Sequence, residues 1–177
     1  DWQSSDLLAL SPLQGNFIVN IVWNGHFNAI SRANDVIAGV STAEGDETIQ
    51  DVVGQAYFLR AFGYFNLVRL YGDVPLRTEP VSSETLYSGK QDSKAIFDQI
   101  VSDAKNAIVN MNGSIGAGYP KQYAANMLLA KVYMHLATNP QLQSEAKDYW
   151  QLAYDEAKKV YGKYSLEGKQ KCKSNKN

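Results

Sequence analysis

Only one cysteine, Cys172, occurs in this 177-residue chain. A lone cysteine excludes an intrachain disulfide framework and leaves the redox compartment open. Histidine is nearly as scarce. His26 and His135 fall in separate predicted helices, and neither has a second ligand at metal spacing, so no metal centre and no cofactor is expected. With Cys172 in a lysine-rich tail, no Cys–His nucleophilic pair is expected either. No run of about eighteen apolar residues exists, so no membrane-spanning helix is predicted. Neither charge dominates: 17 basic residues against 18 acidic ones leave −1, which gives no basic stripe for nucleic acid. Carboxylates are scattered, with no pair set for glycoside hydrolysis. Gly116-Ala117-Gly118 lacks the lysine frame of a phosphate-binding loop. Nothing here assembles a catalytic constellation, and the expectation is a protein that is not an enzyme.

The chain does have a core's worth of apolar side chains. At 45% hydrophobic and 20% charged it has the balance of a globular domain, and its length suits one domain or a piece of one. Eleven tyrosines and three tryptophans are a generous aromatic supply. The chain opens on Asp1 with no basic-apolar leader, as a chain relieved of its signal peptide would, and equally as a cytoplasmic one would.

Apolar residues recur at three- and four-residue steps throughout, the period of amphipathic helices. A first helix is predicted from Pro12 to about Val40, with Trp23, Phe27, Ile30 and Asn34 on one line. FIVNIVW inside it is the window most open to a strand reading. A second helix is predicted from Asp46 or Thr48 to Tyr71, where Gly72 and Pro75 end it. It carries Arg60 and Arg69 and is apolar almost all round, as a helix contacted on several sides would be. Leu76 to Lys90 is a long connection without period. Further helices are predicted from Asp92 or Ser93 to Met111, from Pro120 to Ala137 and from Ser144 to Val160. The result is an all-α domain over residues 1–166, followed by a loose lysine-rich tail over 167–177.

The second and fourth helices repeat one another. Ala61, Tyr64 and Leu67 match Ala130, Tyr133 and Leu136 at a constant offset of 69. Small, aromatic and aliphatic residues at three-residue steps make a seam that a neighbouring helix can approach closely. The offset is about two 34-residue units, the tetratricopeptide (TPR) period, so the chain reads as helix-turn-helix pairs stacked in an irregular solenoid.

LRAFGYFNLVRLYGDVPL, residues 59–76, closely resembles the signature helix of the SusD/RagB family, surface glycan-binding lipoproteins of Bacteroidetes. WNGHFNAISRANDVI, IFDQIVSDAKNAI, YPKQYAANMLLAKVYMHLA and YWQLAYDEAKKVYGKYSL resemble the family's flanking helices in order, covering about residues 12 to 166. The resemblance implies a TPR-like scaffold at the outer membrane, held by a lipid anchor. It implies an oligo- or polysaccharide ligand and a TonB-dependent transporter of the SusC type as partner. Family members are usually longer and carry a lipobox cysteine, which Cys172 is misplaced to supply. The chain is thus similar to the N-terminal half of the family, a short relative or a truncated form. A TPR-type protein-interaction scaffold without sugar binding is the alternative.

Within the signature, Arg60, Arg69, Gly72, Asp73 and Pro75 are read as structural: two arginines bracing the helix against carboxylates such as Asp73 or Asp35, then a stop. Trp23, and Trp150 in line with Tyr154 and Ala157, are read as core. Trp2 and Tyr87 lie in polar stretches without period and are the candidate sugar-stacking rings.

Overall fold

The structure, a computed structural model, describes residues 17–40, 46–83, 89–144 and 147–164. Five helices lie within them: α1 (Phe17–Gly39), α2 (Glu47–Tyr71), α3 (Ser93–Asn110), α4 (Gln122–Thr138) and α5 (Tyr149–Val160). Among the described residues the only β pairing is an isolated bridge between Pro75 and Lys90.

Local chemistry sets the helix ends. The Asp46 carboxylate accepts from the backbone N–H groups of Thr48 and Ile49, at 2.8 and 3.3 Å, and starts α2. At the other end Gly72 has φ 71°, ψ −128°, backbone space that favours glycine, and its N–H still donates to the Val68 carbonyl. Asp92 caps α3 through the Lys94 N–H. FIVNIVW is helical, because α1 aims Trp23, Phe27 and Ile30 at α2. The fifth helix begins at Tyr149, not at Ser144. Asp148 caps it through the Gln151 N–H, and Asn139 holds the preceding stretch in turns with Gln141, Leu142 and Gln143.

Consecutive helices run antiparallel, as side-chain neighbours show. Trp23 meets Tyr71 while Ile30 meets Gly63 across α1 and α2. Phe65 meets Phe97 while Gly54 meets Asn110 and Met111 across α2 and the end of α3. Phe97 stacks on His135 while Ala107 clusters with Ala125 across α3 and α4, and Tyr133 stacks on Tyr149 while Asn126 bonds Glu156 across α4 and α5. All six repeat residues are buried: Ala61, Tyr64 and Leu67 in α2, Ala130, Tyr133 and Leu136 in α4. Only α3 lies between the two copies, so the offset of 69 spans a single helical hairpin with an enlarged loop, and not two 34-residue units. The second helix, α2, is contacted on several sides, by α1, α3 and α4, and one strip of it stays open. Val52, Leu59, Phe62 and Leu70 form an exposed apolar stripe along it.

The closeness of α2 to α3 has a measurable consequence. A Cβ on Gly54 would fall 2.7 Å from the Met111 nitrogen and 2.9 Å from the Asn110 carbonyl carbon, backbone that cannot move aside. A Cβ on Gly25, in α1, meets nothing within 4 Å. Alanine gains about 1 kcal/mol over glycine in a helix interior. Gly25→Ala is therefore expected to raise stability by up to about 1 kcal/mol. Gly54→Ala is expected to lower it by about 1–3 kcal/mol despite that gain. Urea denaturation midpoints of the two variants should move in opposite directions.

Candidate functional site

The long connection after α2 is irregular chain fastened to the helices by several hydrogen bonds. Its ends are closed by the Gln91 N–H, which donates to the Val74 carbonyl at 3.0 Å, next to the Pro75–Lys90 bridge. Val74 is fully buried. Asp73 accepts from both the N–H and the hydroxyl of Ser93, at 3.0 and 2.6 Å, tying the loop's entrance to the first turn of α3. Those two bonds from Ser93 hold the Asp73 carboxyl below its ordinary value, with a smaller push from Lys90.

The root of the loop lies over the core, and Arg60 meets it from beneath. Arg60 is 4% exposed. Its Nε donates to Asp103 Oδ2 at 2.8 Å and its Nη2 to Oδ1 at 2.7 Å, a two-pronged pair with a carboxylate of α3 that is wholly buried. Nη1 donates to Asn34 Oδ1 of α1 and to the Thr78 carbonyl, at 2.8 and 2.9 Å. Asn34 turns its own amide to the Arg77 and Glu79 carbonyls. Beside it the Tyr64 hydroxyl donates to the Arg77 carbonyl and accepts from the Arg77 N–H. Burial pushes that phenol up to about 12. Three consecutive loop residues, Arg77 to Glu79, thus hang on side chains of α1 and α2.

This corrects the sequence reading of the arginines. Arg60 is a buried brace, but its carboxylate is Asp103, not Asp73 or Asp35. Asp73 is taken by Ser93, and Asp35 is exposed. Arg69 is exposed and lies over the Phe65 ring, 5.0 Å from its centroid, with no ion pair among the described residues. Gly72 ends α2, and Pro75, beyond the helix end, joins the bridge at the loop's base. Trp23 packs against the core beside Phe27 and Tyr71. Trp150 does not: it is 58% exposed, and Tyr154 is equally open. Residue 150 falls just after the Asp148 cap, in the first turn of a short helix that buries Ala153 alone, and the Asp148 cap was the signal available in the sequence. Trp2 and Tyr87 lie outside the described residues.

Described residues line three surface concavities. One of about 510 Å³ runs between α1 and α2, past Arg32, Val52 and Leu59. One of about 440 Å³ sits among Arg69, Lys131, His135 and Trp150, and one of about 480 Å³ lies beside Trp150 at the turn before α5. No group of His, Cys, Asp and Glu among the described residues could hold a metal ion.

Antiparallel hairpins with a repeated small-aromatic-aliphatic seam define a TPR-like all-α scaffold, here with one loop enlarged and fastened from within. Residues 10–134 match the SusD-like family described as "Starch-binding associating with outer membrane", and the chain belongs to that family. It is 32% identical over 123 residues to SusD-like protein P2 of Formosa agariphila, covering 67% of this chain and 24% of that protein. Among solved structures it is similar to a laminarin-binding SusD-like protein (TM-score 0.67, 28% identity, 80% of this chain and 30% of that one). It is also similar to a protein crystallised with a xylogluco-oligosaccharide (TM-score 0.70, 25% identity, 84% and 30%). The chain spans about a quarter of the length of the curated relatives first matched.

Removing one partner of the buried pair leaves the other charge unpaired. Asp103→Ala is expected to cost about 3–5 kcal/mol in urea denaturation, and Arg60→Met with Asp103→Leu to recover much of it. Limited proteolysis should cut Asp103→Ala between residues 77 and 90 before it cuts the parent.

A pH effect follows from the histidines. Both sit below the ordinary imidazole value of 6.5, His26 through burial, His135 through burial first and the charge of Arg69 second. Unfolded imidazoles take up protons near 6.5 and the folded ones resist. Their contribution is complete above 6.5 and is lost as pH falls toward the folded values. The urea midpoint is expected to drop between about pH 7.5 and 5.5, less steeply in His135→Gln.

Proposed function

We propose that this chain is the helical part of a glycan-binding accessory protein, one that works without catalysis at an outer-membrane TonB-dependent uptake system. Family membership over residues 10–134 carries this reading. The laminarin and xylogluco-oligosaccharide relatives support a carbohydrate ligand. The buried Arg60 network supports it from the physical side. Charged groups withdrawn from water in this way do little for stability compared with apolar packing, and here they fix the path of a loop. Loops held on rigid scaffolds are where recognition commonly sits. In this reading the protein is a surface lipoprotein, the SusC-type transporter is its partner, and Trp2 and Tyr87 contact sugar.

A second reading, a TPR-type scaffold for a protein partner, is favoured by one observation: the exposed stripe of Val52, Leu59, Phe62 and Leu70 along α2. Calorimetry against a panel of neutral polysaccharides separates the two. One or two rings on a shallow surface are expected to give millimolar binding, about −4 kcal/mol. Trp2→Ala should remove most of it with the melting temperature unchanged. A chain that binds no glycan but holds a protein partner tightly is the scaffold.

A further inference from the structure

Trp150 borders two concavities at once. On one side the cleft of about 440 Å³ is walled by Phe65 and Arg69 of α2 and by Lys131, Met134 and His135 of α4. On the other the hollow of about 480 Å³ runs along Gln143, Lys147 and Asp148. An indole in such a place has an apolar face open to solvent and room on either side of it. Its own helix does not need it for packing, since α5 buries Ala153 alone.

The charges that line the cleft of about 440 Å³ are of one sign. Arg69 rests on the Phe65 ring, and Lys131 is exposed one helix away on the same cleft; neither has a carboxylate partner among the described residues. Asp148 lies in the hollow on the other side of the indole, where it accepts the Gln151 N–H at 3.0 Å. Thr138 spends its hydroxyl on the Met134 and His135 carbonyls. The cleft therefore offers an aromatic face and two cations, no carboxylate among the described residues lines it, and its hydroxyl is engaged elsewhere. An anion bound there would meet charge-assisted donors, with Arg69 able to take a carboxylate or sulfate in two-pronged fashion.

We propose that the cleft between α2, α4 and Trp150 binds an acidic oligosaccharide, a uronate or a sulfate ester, with a sugar ring against the Trp150 indole and its anionic group on Arg69 and Lys131. This rests on the glycan-binding reading and names a ligand class and a surface for it. Sugar fits the site better than an acidic peptide because the open indole presents a flat face flanked by hollows. A pyranose covers such a face with its C–H groups while its substituents enter the hollows on either side.

The test is a titration of the 177-residue chain followed by the indole N–H resonances in two-dimensional NMR. Trp150→Phe identifies the Trp150 signal by its disappearance. Tetragalacturonate, cellotetraose and tetraglutamate are the probes. Tetragalacturonate is expected to shift the Trp150 signal saturably. Its affinity should fall about tenfold or more in Trp150→Ala, and again in Arg69→Gln with Lys131→Gln. Cellotetraose binding should be the same in all of these variants. All three positions are exposed, so the helical dichroism of the variants should match the parent. Tetragalacturonate binding that leaves the Trp150 signal in place, or survives Trp150→Ala, overturns the proposal. So does an equal response to tetraglutamate, which would make the cleft a site for acidic peptides. Cellotetraose binding without tetragalacturonate binding overturns the proposal and leaves the glycan reading standing. Failure of both sugars, extended to the neutral polysaccharide panel, removes both.

Discussion

A guanidinium can satisfy partners in several directions only if it is held where they converge, and Arg60 is so held. From α2 it reaches α3 through Asp103, α1 through Asn34 and the long loop through the Thr78 carbonyl. Three segments that meet nowhere near each other in sequence are thereby fixed to one planar group. Apolar packing alone would tolerate small slides between these helices, since a Leu or Ile contact has no preferred direction. Two parallel hydrogen bonds to one carboxylate do not tolerate them. The close approach at Gly54 and the buried alanines of the seam depend on that fixed register.

Much of the scaffold was legible because its causes are local. Asp46 before Thr48, Gly72 before Pro75 and the three-residue steps of Ala61, Tyr64 and Leu67 act within a turn or two, and the structure carries each out. The pairing of Arg60 was not legible, although its burial was. Its carboxylate lies 43 residues away, and Asp73 and Asp35 offered the same charge at lesser separations. Only the antiparallel packing of α2 on α3 selects Asp103 among them. The fifth helix was misjudged at its start for a related reason. The predicted start at Ser144 followed the helical period, but Asn139 holds the preceding residues in turns and the Asp148 cap sets the start at Tyr149. That late start puts Trp150 in an exposed first turn and not in the core.

Two faces of the scaffold thus differ in character. The seam of Ala61, Tyr64 and Leu67, with its copy in α4, is closed by neighbouring helices. The stripe of Val52, Leu59, Phe62 and Leu70 and the rim around Trp150 are open. A sequence shows both as apolar period, because hydrophobicity records what a helix can bury and not which neighbour arrives to cover it.

The clasp at the base of the long loop separates what can vary from what cannot. With Val74 and Gln91 joined and Arg77 to Glu79 suspended from the core, the chain between Pro80 and Gly89 begins and ends at fixed points. Lengthening a loop whose ends are already together is cheap, about 0.6 kcal/mol for each doubling. Residues could be inserted, deleted or exchanged within that span while every bond beneath it stayed in place. Evolution working on such a chain can therefore rewrite the loop repeatedly on an unchanged set of helices, as one changes a blade in a standing handle.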